Sequence, residues 1–140
     1  MRRSSRAPAR RTCAALVEEA RVARFAIAMI VCSELGRSRW FYKNILELKL
    51  RTDASPHWVD FDLADGGVLG LRPASESLVV KTGSLQLGFT VDDVDRFVTD
   101  ARTAAVTILQ EPHDESFGRI AVIADPDGYP IQVATPKPWR

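Results

Sequence analysis

Residues 25–38, FAIAMIVCSELGRS, and residues 84–97, SLQLGFTVDDVDRF, decide the fold when one is laid over the other. Each begins with a run that reads as a strand. FAIAMIVC is apolar and β-branched throughout. SLQLGFTV alternates Leu85, Leu87, Phe89 and Val91 with Gln86, Gly88 and Thr90. Each run is followed by a short polar residue suited to an N-cap: Ser33 in the first, Asp92 or Asp93 in the second. A helix then follows in both. Leu35, Ser38, Phe41, Tyr42 and Ile45 fall on one face of the first, which is expected at about 35–46. Val94, Phe97, Val98, Ala101 and Ala105 fall on one face of the second, expected at about 93–104.

Downstream of each helix the chain reads as about three more strands. LELKLRTD sets Leu46, Leu48 and Leu50 against Glu47, Lys49 and Arg51. VDFDL sets Val59, Phe61 and Leu63 against Asp60 and Asp62, and Trp58 shares the parity of the two aspartates. VLGLR returns after the turn Ala64-Asp65-Gly66-Gly67. In the second half the strands are AVTILQ, GRIAVIA and PIQVAT, the last two joined at Asp125-Pro126-Asp127-Gly128. His113-Asp114-Glu115 reads as a polar loop, and Leu78-Val79-Val80 as a short extended piece. The result is an α+β chain of two βαβββ modules, 25–73 and 84–136, repeating at an offset of 59 residues. Paired, the modules form a curled eight-stranded sheet around a cleft. Residues 137–140 are a tail.

Composition narrows the class. At 140 residues, with 46% hydrophobic and 26% charged, the chain is long enough for one domain with a real core. Two cysteines, Cys13 and Cys32, make no disulfide scaffold, which points to a reducing, cytoplasmic setting. The apolar run Phe25–Cys32 is too short to span a bilayer, so no membrane partner is expected. Residues 1–24 hold seven of the 19 basic residues and two of the 18 acidic ones, and read as a basic extension, disordered or helical. The domain at 25–136 is therefore acidic on balance and has no composition for a nucleic-acid surface.

The join Ser33-Glu34-Leu35-Gly36-Arg37-Ser38, the helix core Trp40-Phe41-Tyr42 with Asn44-Ile45-Leu46, the cap Val91-Asp92-Asp93-Val94-Asp95 and the hairpin Ala124-Asp125-Pro126-Asp127-Gly128-Tyr129-Pro130-Ile131-Gln132 occur in order. Together they resemble the vicinal oxygen chelate superfamily, over about 110 residues. That group includes glyoxalase I, extradiol dioxygenases, fosfomycin-modifying enzymes and bleomycin-binding resistance proteins. The resemblance implies sites for a divalent metal on the first and last strand of each module. In this chain those positions fall on Ile27, on Gly70 or Leu71, on Gln86 and on Gln132. Two neutral amides and two side chains without donors lack the charge that offsets a cation's lost hydration. No metal and no cofactor is therefore expected. The resemblance also implies a homodimer with sites shared across its interface.

The candidate ligand-binding residues are Ile27, Met29, Trp58, Gln86 and Gln132. The strand face turned from the helices carries an apolar side (Ile27, Met29, Val31) and two amides, with Trp58 as an aromatic neighbour. Such a wall suits an uncharged organic molecule with a few polar edges. The leading expectation is a metal-free small-molecule-binding protein that sequesters an antibiotic or other organic ligand. The alternative is a lyase, isomerase or dioxygenase-type enzyme with a non-standard site. No catalytic residue is assigned, because no carboxylate can be placed beside His57 and no nucleophile motif occurs.

Overall fold

The computed structural model describes residues 22–64 and 66–137, so the expected extension at 1–24 and tail at 137–140 lie almost wholly outside the described residues. The first module runs β1 (Ile27–Cys32), α1 (Leu35–Asn44), β2 (Lys49–Ala54), β3 (Trp58–Asp62) and β4 (Val68–Pro73). A single 3-10 turn, Thr82–Ser84, leads to β5 (Leu87–Thr90), α2 (Val94–Thr103), β6 (Ile108–Glu115), β7 (Gly118–Ala124) and β8 (Pro130–Pro136). Both helices have ten residues, and both ends of α2 stand 59 positions beyond those of α1. The strand orders also repeat, β1-β4-β3-β2 and β5-β8-β7-β6. In each module the first strand lies parallel to the last.

The eight strands form two four-stranded mixed sheets rather than one eight-stranded sheet. The two sheets pack by their apolar faces. Ile30, Cys32, Val59, Phe61, Leu69 and Leu71 from the first sheet share one buried cluster with Phe41 and Tyr42 of α1 and with Ile123 and Ile131 of the second sheet. The second sheet also packs Ala121 and Val133 on Val94 and Val98 of α2. The helix-side faces thus meet in a common core, and β1 and β5 each end a sheet. No helix among the described residues is long and apolar enough to cross a membrane.

Local chemistry moves several boundaries. β2 begins at Lys49, not Leu46, because the chain leaves α1 through Glu47 at φ 54, which breaks the alternation. Ala105, at φ 65, does the same after α2, so the strand expected from Ala105 starts at Ile108. The stretch His113-Asp114-Glu115 is not a loop but the end of β6, with His113 opposite Ile120. Two register shifts along β6 erase the period-two signal there. Leu78-Val79-Val80 lies outside any strand. Asp93 caps α2 by accepting from the Arg96 N–H at 3.1 Å. Ser33 does not cap α1; Glu34 holds that position without a side-chain cap bond. The Ser33 backbone N–H and hydroxyl instead donate to the carboxylate of Asp127, 94 residues away.

That contact belongs to a polar joint between the modules. The β7–β8 turn folds on Asp125, whose Oδ1 accepts the N–H groups of Asp127 and Tyr129, both at 2.9 Å. Its Oδ2 accepts the hydroxyl of Tyr42 from α1 at 2.8 Å. Tyr129 donates its own hydroxyl to the Val31 carbonyl at 3.0 Å. Tyr42 is wholly buried and Asp125 nearly so. Burial pushes the Asp125 carboxyl above its ordinary range, against the pull of its three donors. Tyr42→Phe removes one donor and leaves the buried acceptor short of a partner. The expected cost is about 1–3 kcal/mol in urea unfolding. Because the folded-state value is raised, Asp125 ionisation subtracts stability as pH climbs through the carboxylate range. Asp125→Asn should remove that slope from the unfolding free energy.

Candidate functional site

The register of the strands assembles two corresponding rows on the sheet faces turned away from the core. In the first sheet Met29 lies opposite Gly70, Gly70 opposite Asp60, and Asp60 opposite Thr52. In the second, Gly88 lies opposite Gln132, Gln132 opposite Val122, and Val122 opposite Gln110. Ile27 and Gln86 each stand two residues before the first member of a row. The register also settles which residue of β4 faces outward. Gly70 does, while Leu71 pairs with Val59 and is buried on the helix side.

The first row is built around Trp58. Its indole lies across Gly70, where a methyl group would come within 2.6 Å of Trp58 Cζ2, closer still to Cη2, and 3.2 Å from Ile27 Cδ1. The absence of a side chain at position 70 is what lets the ring settle onto the sheet. The indole Nε1–H donates to Asp60 Oδ2 at 2.9 Å. Arg51 grips the same carboxylate with both ends of its guanidinium, Nε to Oδ1 at 3.0 Å and Nη2 to Oδ2 at 2.7 Å. Asp60 is 1% exposed, whereas about half of the Arg51 side chain reaches solvent. The Arg51 hydrogen bonds, joined by that of Trp58, outweigh desolvation and hold the Asp60 carboxyl down to about 2. Met29, half exposed, extends the wall beside Gly70.

The structure therefore brings Ile27, Met29 and Trp58 together on one sheet and sets Gln86 and Gln132 near Gly88 on the other. Among the described residues no hydrogen bond joins the two glutamine amides. Gln132 Nε2 stands 4.0 Å from where a side chain at Gly88 would begin, and Gln86 is exposed just ahead of β5. A cavity of about 710 Å³ lies between Leu46, Leu48 and Leu63 of the first module and Gly88, Phe89 and Thr90 of the second; none of the five expected residues lines it. Sequence reasoning missed Asp60 and Arg51. Asp60 sits at an alternating, outward-facing position that ordinarily marks a solvated carboxylate. Its one signal is shared parity with Trp58.

The divalent metal that the strand positions imply does not fit these residues. Ile27 and Gly70 offer no donor atom, the indole covers the space above Gly70, and Gln86 and Gln132 are uncharged. Among the described residues no group of three His, Cys, Asp or Glu side chains is placed to hold a metal ion. Cys32 is a wholly buried thiol whose pKa is pushed up to about 11 by burial, which leaves it a core residue and not a nucleophile.

Comparison with known proteins places this geometry. Residues 23–133 match the family model described as Glyoxalase/Bleomycin resistance protein/Dioxygenase superfamily. Over 114 residues the chain is 26% identical to the phenazine antibiotic resistance protein EhpR of Enterobacter agglomerans, a match covering 76% of this chain and 88% of that protein. The solution structure of an Agrobacterium tumefaciens protein superposes with a TM-score of 0.72 at 27% identity, covering 84% of this chain and 100% of that one. The crystal structure of TnmS3, an antibiotic binding protein from Streptomyces sp. CB03234, superposes with a TM-score of 0.69 at 22% identity, covering 84% and 98%.

The lowered Asp60 carboxyl fixes the sign of a pH dependence. A carboxyl lowered in the folded state adds stability that is complete above the unfolded value near 4 and is lost as pH falls toward 2. Asp60→Asn should flatten the acid limb of a stability-against-pH curve between pH 4 and 2. At pH 7 it should cost about 1–3 kcal/mol, read by urea unfolding.

Proposed function

Because the chain belongs to the Glyoxalase/Bleomycin resistance protein/Dioxygenase superfamily, we propose that it is a member that binds and sequesters a small organic molecule without a metal. The observation that carries this reading is the wall made by Trp58, Ile27 and Met29. It offers an aromatic ring and apolar surface where a chelating member would need charged or imidazole donors. The resemblance to a phenazine resistance protein supports an aromatic antibiotic as the ligand class. The expected site residues are Ile27, Met29, Trp58, Gln86 and Gln132, the amides supplying hydrogen bonds to a ligand's polar edge. Arg51 and Asp60 beside Trp58 are paired with each other, while Arg72, exposed and across from Val31, stands on the same outward face.

Phenazine is the first probe, measured by isothermal titration calorimetry. Binding should be unchanged by EDTA. Gln86→Leu and Gln132→Leu should each weaken it by about 1–3 kcal/mol, since a polar ligand atom loses its partner. Affinity that vanishes with EDTA would overturn the metal-free reading. Full affinity in both variants would remove the glutamines from the site.

We also infer a homodimer. The two outer rows belong to separate sheets that share their helix-side core, so each row faces away from that core. A twofold partner could lay its second sheet opposite this first sheet, closing a site between Trp58 and the partner's amides and covering the β1 and β5 edges. Light scattering at micromolar concentration should give twice the mass of the chain. A monomer would count against this assembly.

A further inference from the structure

We propose that Gly70 is the positioning residue that sets ligand selectivity: by lacking a side chain it lets the Trp58 indole sit close against the first sheet, making that wall a platform for planar heteroaromatic molecules. The inference rests on the small-molecule reading above and names the feature that selects the ligand.

Three observations converge on it. The first is steric. A Cβ at position 70 would fall inside the van der Waals envelope of the Trp58 six-membered ring and press on Ile27 Cδ1. Any residue other than glycine must therefore tip the ring or push β3 from β4. The second is that the same edge of the ring is fixed at its nitrogen. Its Nε1–H is held by Asp60, and Asp60 is held by two Arg51 nitrogens. Nε1, Cζ2 and Cη2 lie along one edge of the indole, so that edge is held by a hydrogen bond at its nitrogen and rests on the bare backbone at its benzene end. The third is register. Met29, Gly70 and Asp60 lie side by side across three strands, so the ring covers the row's centre and leaves Met29 half exposed at its border. A ring held along one edge loses little freedom when another ring stacks on its face, and offset stacking adds to area burial. The same seat explains why β4 brings no metal donor here: the position is occupied by the support of an aromatic ring.

The test uses the full chain with Trp40→Phe and Trp139→Phe, so that Trp58 is the sole indole emitter. In that background Gly70→Ala should shift Trp58 emission to longer wavelength and weaken phenazine binding at least tenfold. A merely structural glycine would act alike whatever stands at position 58. A seat would not. Phenylalanine is shorter than indole and clears the new methyl, so Gly70→Ala combined with Trp58→Phe should change affinity by less than about twofold, and melting temperature by only a few degrees, relative to Trp58→Phe alone. Equal effects of Gly70→Ala in the two backgrounds would overturn the seat, as would unchanged emission. Should Gly70→Ala fail to fold with Trp58 present yet fold when combined with Trp58→Phe, the seat is supported. If the unaltered chain binds no phenazine, the ligand reading and the selectivity claim both fall, while emission and melting still judge whether Gly70 seats the ring.

Discussion

The hydroxyl of Tyr42 reaching the carboxylate of Asp125 across 2.8 Å is the contact on which the arrangement of the two modules turns. Apolar packing between sheets is non-directional and would tolerate several slides of one module over the other. Asp125 accepts three donors, two from its own turn and one from the opposite module. Those bonds can be made together in only one relative placement. Tyr129 and Ser33 repeat the linkage from either side, one to the Val31 carbonyl and one to Asp127. The core supplies the driving force and this buried polar joint supplies the register. Once it is set, both outward rows are set, because each strand's outer residues follow from its inner ones.

Two buried aspartates show how the same side chain serves opposite ends. Asp125 has only neutral partners, and burial wins, so its carboxyl is raised. Asp60 has a guanidinium on both oxygens and an indole N–H besides, and hydrogen bonding wins, so its carboxyl is lowered. The first stands at the joint between modules, where a charge would be costly. The second stands at the outer face beneath Trp58, where a permanent charge holds the ring's N–H in place. Arg51 is half exposed, so the pair keeps one end in water and avoids most of the penalty of a fully buried ion pair.

Most of the fold was legible because the sequence repeats. Two helices of equal length at an offset of 59, and two sheets of the same order, follow from periodicities visible in the chain. What was not legible has local causes. Glu47 and Ala105 adopt positive φ without being glycine, so no residue type announced the breaks before β2 and β6. β6 slips register twice and therefore shows no alternation through His113. The split into two sheets depends on which edges meet in space, which strand composition does not encode. At the site, parity turned Ile27, Met29, Gln86 and Gln132 away from the helices, but it put them on one wall where the structure sets the first two and the last two on separate sheets. The choice between Gly70 and Leu71 needed the β3–β4 register.

A chelating site and a stacking site make opposite demands on the same strand position. Chelation needs a long polar side chain projecting from the sheet, with its desolvation offset by the cation. Stacking needs the sheet surface bare so that a ring can lie close to it, with the ring's one polar atom satisfied at its edge. Gly70, flanked by Ile27 and overlaid by Trp58, meets the second demand and cannot meet the first. The neighbouring polar groups follow the same logic. Asp60 and Arg51 direct their charge to each other and to the indole N–H instead of to a ligand. Neither of the two is then left over to hold a ligand's charge. Under the small-molecule reading proposed above, recognition would fall to shape, ring-face polarisability and the hydrogen bonds of the glutamine amides. A ligand selected on those terms would be planar, with its polar atoms at its rim.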